Sequence, residues 1–253
     1  MKIIAITQAR TGSTRLPNKI MKEIKGKTLL NIHIDRIKKA KSIDSIIIAT
    51  TNKIQDDVIE NVAKDLNVNC YRGDENDVLD RFYQAVKKDK PDYIIRLTSD
   101  CPLVDGDLID AIVEKAIETN VDYCSNTLID SFPDGQDIEV FTFKSLERAW
   151  KEATLLSERE HVTPYIKKNS TFNNIDIFKS INISSDNIKY ENVRMTVDEP
   201  NDFEVIVRLI EKLGNEESWE NYAELYLNDF EINQINKSII RNEGYLKSIK
   251  KDS

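Results

Sequence analysis

Residues 2–7, KIIAIT, and the run QARTGSTRLPNK that follows at 8–19 decide how this chain reads. After Lys2 the first segment is apolar and β-branched without a polar break, the pattern of a strand buried on both faces of a parallel sheet. It empties into a loop carrying Gly12, the hydroxyls of Thr11, Ser13 and Thr14, and the cations Arg10, Arg15 and Lys19, with Pro17 near its end. Glycine lets a backbone approach a ligand closely, and successive loop N–H groups form a nest for anions. The cations stand in a chain whose net charge is -8, so they are a local feature and not part of a basic surface. A polyphosphate fits this loop; an ordinary solvated loop would share its composition. Neither the GxxxxGK[ST] spacing nor the GxGxxG fingerprint is present, so the two commonest phosphate motifs are excluded.

Working outward, 253 residues accommodate one large α/β domain or two small ones. With 40% hydrophobic residues there is material for a core and no compositional case for disorder. A pI near 5.1 argues against a general nucleic-acid surface, which needs a basic face. No apolar stretch approaches membrane-spanning length, and the start, MKIIAITQAR, turns polar too soon for a signal peptide. Cys70, Cys101 and Cys124 are widely spaced and odd in number, which disfavours a zinc site or a disulfide framework and fits the cytoplasm.

The first half of the chain alternates strand and helix. Strands are expected at 45–50, 68–71, 93–98 and 121–125, and helices at 28–41, 54–66, 77–88 and 108–119. That rhythm implies a doubly wound, mostly parallel sheet with helices on both faces. From about residue 132 the rhythm changes. A strand at 137–143, helices at 146–153 and 159–168 and an extended piece at 173–178 suggest a subregion over about 132–180. A last sheet strand at 194–197, a helix at 203–213 and a helical extension over about 215–253 (219–227 and 232–249) complete a single domain.

In an open parallel sheet, ligands bind beyond the carboxyl ends of the strands. The phosphate loop leaves the first strand there, Asp100 leaves the strand YIIRLT and Asp198 leaves RMTV. Cations and carboxylates from three distant segments thus share one rim. Each carboxylate has a plainer reading: Asp100 starts a turn before Cys101-Pro102, and Asp198 caps a helix before Glu199-Pro200. A triphosphate substrate brings Mg²⁺, which takes one or two carboxylates with phosphate oxygens and water. Segment 72–81 reads as a turn leading into a helix, with Asp77 as N-cap and Arg81 paired to it. Asp105-Gly106-Asp107 matches the DxD metal motif of nucleotide-sugar glycosyltransferases, but its place at a helix start favours capping. His33, in mid-helix, reads as structural.

The ordered blocks QARTGSTRLPNK, ATTN (49–52), RGDENDVLDRF (72–82), RLTSDCPLVD (96–105), PDGQDIEVF (133–141), EREHVTPYI (158–166) and RMTVDEPNDFE (194–204) resemble the cytidylyltransferases that activate acidic sugars. They are similar to the CMP-Kdo and CMP-sialate synthetases, and most of all to the spore-coat polysaccharide biosynthesis protein F family, over residues 1 to about 210. The resemblance implies CTP as substrate, pyrophosphate as product, an acidic sugar or phosphorylated acceptor, and Mg²⁺ on Asp100 and Asp198. It implies that Gln8, Ala9, Arg10, Thr11, Gly12, Ser13, Arg15 and Lys19 hold the nucleotide with Asp80 and Arg81, and that Arg15, Lys19 and Asp100 carry catalysis. Gln136, Asp137, Glu139, Arg159 and His161 are the expected acceptor ligands. The family usually has Leu where Gln136 stands and Gly where Asn18 stands. Related synthetases pair through a segment like 132–180, so a homodimer is expected, with Arg159 or His161 serving the partner's pocket.

Overall fold

In the computed structural model, which describes residues 1–252, KIIAIT lies at the heart of a seven-stranded sheet. The strands of the chain are β1 (Ile3–Gln8), the short hairpin β2 (Glu23–Ile24) and β3 (Lys27–Thr28), β4 (Ser45–Thr51), β5 (Asn69–Gly73), β6 (Tyr93–Thr98), β7 (Tyr123–Ser125), β8 (Glu139–Thr142) and β9 (Ser180–Asn182). The sheet runs β5-β4-β1-β6-β8-β7-β9, with β8 antiparallel to both its neighbours and every other pairing parallel. Alternate residues of β1 supply two cores: Ile3 and Ala5 face one, Ile4 and Ile6 the other. Period-two alternation between two covered faces is why the sequence shows an unbroken apolar run. Each fully buried isoleucine contributes about 1.5–3 kcal/mol.

The first core is closed by α1 (Leu29–Ile37), α2 (Asp57–Asp65), α4 (Gly106–Thr119), α8 (Pro200–Leu213), α9 (Trp219–Asn228) and α10 (Phe230–Asn236). The second lies under α3 (Val78–Val86), α5 (Phe143–Glu152) and the short α7 (Pro164–Lys168), with α6 (Leu156–His161) packed against α3. A last helix, α11 (Glu243–Ile249), packs on α6.

Four expectations are corrected. Segment 194–197 is not a sheet strand: it forms only an isolated bridge, Asp134 to Arg194, while Val193, Met195 and Val197 sink into the first core. Its alternation reported burial, not sheet membership. Segment 173–178 is interrupted by a turn through Asn174 (φ 60°), and the edge strand forms later, at Ser180–Asn182. The helix expected over 159–168 is broken at Val162 (φ 71°), where the Thr163 N–H donates to the His161 carbonyl at 2.8 Å in a tight three-residue turn. The helix expected over 232–249 is split between α10 and α11, and Asn242 enters α11 from the left-handed region.

Candidate active site

Strand order reverses between β1 and β6, and the phosphate loop and Asp100 emerge on either side of that switch point. The depression lined by Lys38, Asp44 and Asn69 lies at the opposite, amino-terminal ends of the strands. Segment 193–198 runs alongside β6's exit, because the Val197 N–H donates to the Asp100 carbonyl at 2.8 Å. Asp100 and Asp198 therefore meet. The Lys19 ammonium sits between them, 3.1 Å from Asp100 Oδ2 and 3.0 Å from Asp198 Oδ1, and donates to the Val197 carbonyl at 2.8 Å. Burial works against the Lys19 charge, yet the two carboxylates outweigh it and raise its pKa. Burial likewise opposes ionisation of Asp100, and Lys19 overrides it, holding the carboxyl near 2. Arg15 Nη2 lies 3.0 Å from Asp198 Oδ1.

Local structure explains how these groups are aimed. Asn18 adopts φ 54° just before the turn that carries Lys19, a left-handed conformation that Gly or Asn tolerates best. That gives the departure at position 18 a physical reason. Asp198 is not the helix cap. Asp202, fully buried, accepts the N–H groups of Asp198 and Glu199 at 3.0 Å each, leaving the Asp198 carboxylate to face the rim. Asp202 is held by Arg194, which donates to it at 2.9 and 3.0 Å and to Asp134 at 2.5 Å. Gly135 passes so close to this segment that a Cβ there would stand 2.7 Å from the Met195 carbonyl carbon.

His33 joins the two strand ends. Its Nδ1 lies 2.8 Å from the Cys101 carbonyl, which can only accept, so Nδ1 carries the proton and Nε2 accepts from the Thr7 hydroxyl at 2.9 Å. Burial pushes its pKa down to about 4. The thiols of all three cysteines are pushed up by burial, so none is an activated nucleophile.

The phosphate loop is braced from below. Thr11 donates through its N–H (2.8 Å) and hydroxyl (2.7 Å) to Asp56, which also accepts from Thr51. Arg10 reaches Glu75 at 2.8 Å, and a Cβ at Gly12 would crowd Gln55 at 3.1 Å. Ala9 is buried and donates its N–H to Ala49; the Gln8 side chain accepts from Arg96 at 3.5 Å, and Ser13 Oγ accepts the Leu16 N–H.

Several expected ligands are engaged elsewhere. Gln136 is fully buried, accepting from the Asp105 N–H at 3.0 Å and donating to the Leu103 carbonyl at 2.7 Å, so its polar groups are spent on backbone. Arg159 grips Asp77 (3.0 and 2.5 Å) and the Trp150 carbonyl, binding α6 to the start of α3. Asp80 accepts from Trp150 Nε1 at 2.8 Å and from Gln84, a packing contact between α3 and α5. Arg81 is buried and donates to the carbonyls of Asp74 and Glu75, shaping the loop that Arg10 meets. Asp105 caps α4 through the N–H groups of Asp107 and Leu108, as its position implied.

Asp137, Glu139 and His161 do cluster, together with Arg96, Lys167 and Arg241, which the motif reading missed. Arg241 donates to Asp137 at 3.1 Å and to the Phe132 carbonyl at 3.0 Å. It belongs to a C-terminal strap over the rim: Glu243 pairs with Arg15 at 3.0 Å, Ser248 meets His161 at 3.0 Å, and Asp252 accepts the Ser157 N–H at 3.0 Å. Polar side chains in a charged helical tail gave no signal of this role.

Two carboxylates converging on one cation suit a divalent metal completed by phosphate oxygens and water, and among the described residues no third His, Cys, Asp or Glu joins them. Fold and rim together define a mostly parallel α/β domain whose switch point gathers cations and carboxylates from three distant segments. The model of the cytidylyltransferase family matches residues 4–236, and the chain belongs to that family. It is 44% identical over 210 residues to an uncharacterised protein of Methanocaldococcus jannaschii (83% of each chain) and 33% identical to spore coat polysaccharide biosynthesis protein SpsF of Bacillus subtilis (84% of this chain, 88% of that one). Among solved structures, a cytidylyltransferase from Leptospira borgpetersenii superposes with TM-score 0.83 at 33% identity, covering 96% of this chain and 98% of that one. A CMP:2-keto-3-deoxy-manno-octonic acid synthetase complexed with CTP shares the fold, with TM-score 0.63 at 14% identity, over 84% and 99% of the two chains.

Proposed function

We propose that this chain transfers the cytidylyl group of CTP to an acidic sugar or phosphorylated acceptor, releasing pyrophosphate, in surface polysaccharide or glycoconjugate synthesis. The observation that carries the reading is Lys19 held between Asp100 and Asp198 beneath a loop of cations. When bound, Mg²⁺ would lie on those two carboxylates and neutralise charge developing on the α-phosphate. Lys19 then exchanges its carboxylate partners for phosphate oxygens, and Arg15 does the same from the other side. The acceptor oxygen attacks the α-phosphorus in line while Arg10, Arg15 and Lys19 receive the leaving pyrophosphate. Catalysis is positioning and electrostatics, with no covalent protein intermediate.

The 3-deoxy-manno-octulosonate cytidylyltransferase of Bdellovibrio bacteriovorus, 31% identical over 120 residues (47% of each chain), supports a sugar acid as acceptor. A structural neighbour from Mycobacterium tuberculosis described as a complex with manganese (12% identity, TM-score 0.57) is in keeping with a divalent metal at this rim. No helix among the described residues is long and apolar enough to cross a membrane, in keeping with a cytoplasmic pool of CTP. Exposed Leu155, Leu156, Phe172 and Ile175 support pairing of two copies through 132–180, which light scattering tests. The capping role of Asp105 removes the main argument for a glycosyltransferase. Pyrophosphate release from CTP, exceeding that from UTP, ATP and GTP, is the expected result; nucleoside diphosphate release from a sugar donor would favour the other class.

A further inference from the structure

Across the switch point from the phosphate loop, β8 buries Glu139 with only 2% of its side chain exposed. Tyr123 and Thr163 donate hydroxyl hydrogen bonds to it at 2.7 Å, Lys167 pairs with it at 2.7 Å, and Arg96 pairs with its second oxygen. Burial alone would favour the neutral acid, but Lys167 and Arg96 hold the carboxyl well below its ordinary range. One carboxylate therefore serves two cations, and the trio keeps one positive charge in surplus. That charge is shielded from bulk water, since the Arg96 and Lys167 side chains are 13% and 30% exposed. The neighbouring Arg241 is matched by Asp137 at 3.1 Å and by the half-exposed Asp130 at 3.5 Å, and the partly buried His161 ring, its pKa lowered to about 4, is neutral near pH 7.

Two further observations mark the cluster. Arg96 Nε is buried and has no hydrogen-bond partner, an expense that proteins seldom carry without use. Val162, β-branched and fully buried, holds φ 71°, a conformation that persists only where its surroundings impose it. The turn it makes brings Thr163 and Lys167 to the same carboxylate. Arg96 also reaches Gln8 at the end of β1, so the cluster borders the nucleotide loop.

We propose that Arg96 and Lys167 form the subsite for the acidic group of the acceptor, and that Glu139 is a positioning residue holding both cations. This rests on the cytidylyltransferase reading and deepens it. The surplus charge receives the anion, and the acceptor's hydroxyls lie toward Asp137. Glu139, whose oxygens are already occupied, does not touch the acceptor, which revises the direct role its sequence position implied.

The test measures pyrophosphate release and CTP binding side by side, with a 2-keto-3-deoxy sugar acid (Kdo) and a polyol phosphate (glycerol 3-phosphate) as acceptor probes. Lys167→Gln should raise the KM of the accepted probe tenfold or more with the Kd for CTP nearly unchanged, at some cost in melting temperature because the enclosed Glu139 keeps only Arg96, and Lys167→Arg should restore most of both losses. Arg96→Gln should act in the same direction. Turnover of Kdo alone assigns the site to a carboxylate, and turnover of glycerol 3-phosphate alone assigns it to a phosphate; either supports the subsite. Equal weakening of CTP and acceptor, or a fall in melting temperature with unchanged acceptor KM, would overturn it. Tight CTP binding by the wild type with neither probe bound or consumed overturns the subsite and leaves the nucleotide reading standing. Failure to bind CTP overturns the reading beneath it.

Discussion

On the nucleotide flank of the switch point, only Lys19 is enclosed, at 13% exposed, while the side chains of Arg10 and Arg15 stand partly in solvent at 46% and 31% and reach their carboxylate partners from a loop. On the other flank the charges are enclosed, with Glu139 at 2% and the Arg194–Asp202 pair at 7% and 0%. Partly exposed ion pairs are worth about 0–1 kcal/mol and exchange partners easily. Enclosed pairs cannot lose one member without stranding a charge. On the reading proposed above, the nucleotide flank trades its internal partners for metal and triphosphate, while the acceptor flank keeps its shape and discriminates.

The sharpest way to break this comparison is at the metal carboxylates. Asp100→Asn or Asp198→Asn should lower turnover by about a thousandfold or more, because the charge on the α-phosphate loses its counterion. Full activity in excess EDTA, read by pyrophosphate release, would end the metal assignment. Asp202→Ala probes the enclosed side. It removes one of the two buried carboxylates that Arg194 grips, leaves Asn236 without its Asp202 partner and uncaps the Asp198–Glu199 turn, so unfolding free energy measured in urea should fall by about 3–5 kcal/mol. A loss under 1 kcal/mol would show that this network is no more rigid than the loop.

The joint between the flanks is sensitive to acid. His33 is neutral in the folded chain with its pKa lowered to about 4, whereas the unfolded chain takes up that proton near 6.5. The unfolded state therefore binds more protons between those values, and stability falls as pH drops from about 6.5 toward 4. The full contribution is on the order of 3 kcal/mol and is intact above pH 6.5. Urea midpoints that stay flat from pH 7 to 4.5 would contradict it. The smallest effect belongs to the strap. Glu243→Gln frees Arg15 from a competing carboxylate and should tighten CTP binding by less than about fivefold in calorimetry. Weaker binding would mean that Glu243 assists the nucleotide and does not compete with it.

Much of the nucleotide flank was legible because its residues lie in one short run after a buried strand, where sequence proximity and spatial proximity coincide. Asp100 was also legible, since it leaves the end of a sheet strand; Asp198 was expected on the same rim from a strand that does not form, and it arrives there because the Val197 N–H donates to the Asp100 carbonyl. The acceptor flank was not. Gln136 and Arg159 sit in polar motifs but spend their groups on backbone and on Asp77, and a motif does not reveal which way a side chain turns. Arg96 was hidden inside a strand, Lys167 in a short amphipathic helix and Arg241 in the tail, none with a local pattern pointing to Glu139 or Asp137.

The amino-acid sequence by itself determined the mostly parallel sheet, the alternation of its first strands and helices, the cationic loop and the family, because apolar periodicity and contiguous motifs are local properties. Tertiary structure alone decided that segment 193–198 lies beneath residues 132–137 outside the sheet, that the last helices fold back as a strap, and that two cations share one buried carboxylate. Those outcomes depend on charge balance and hydrogen-bond satisfaction among residues far apart in the chain, which no local window contains.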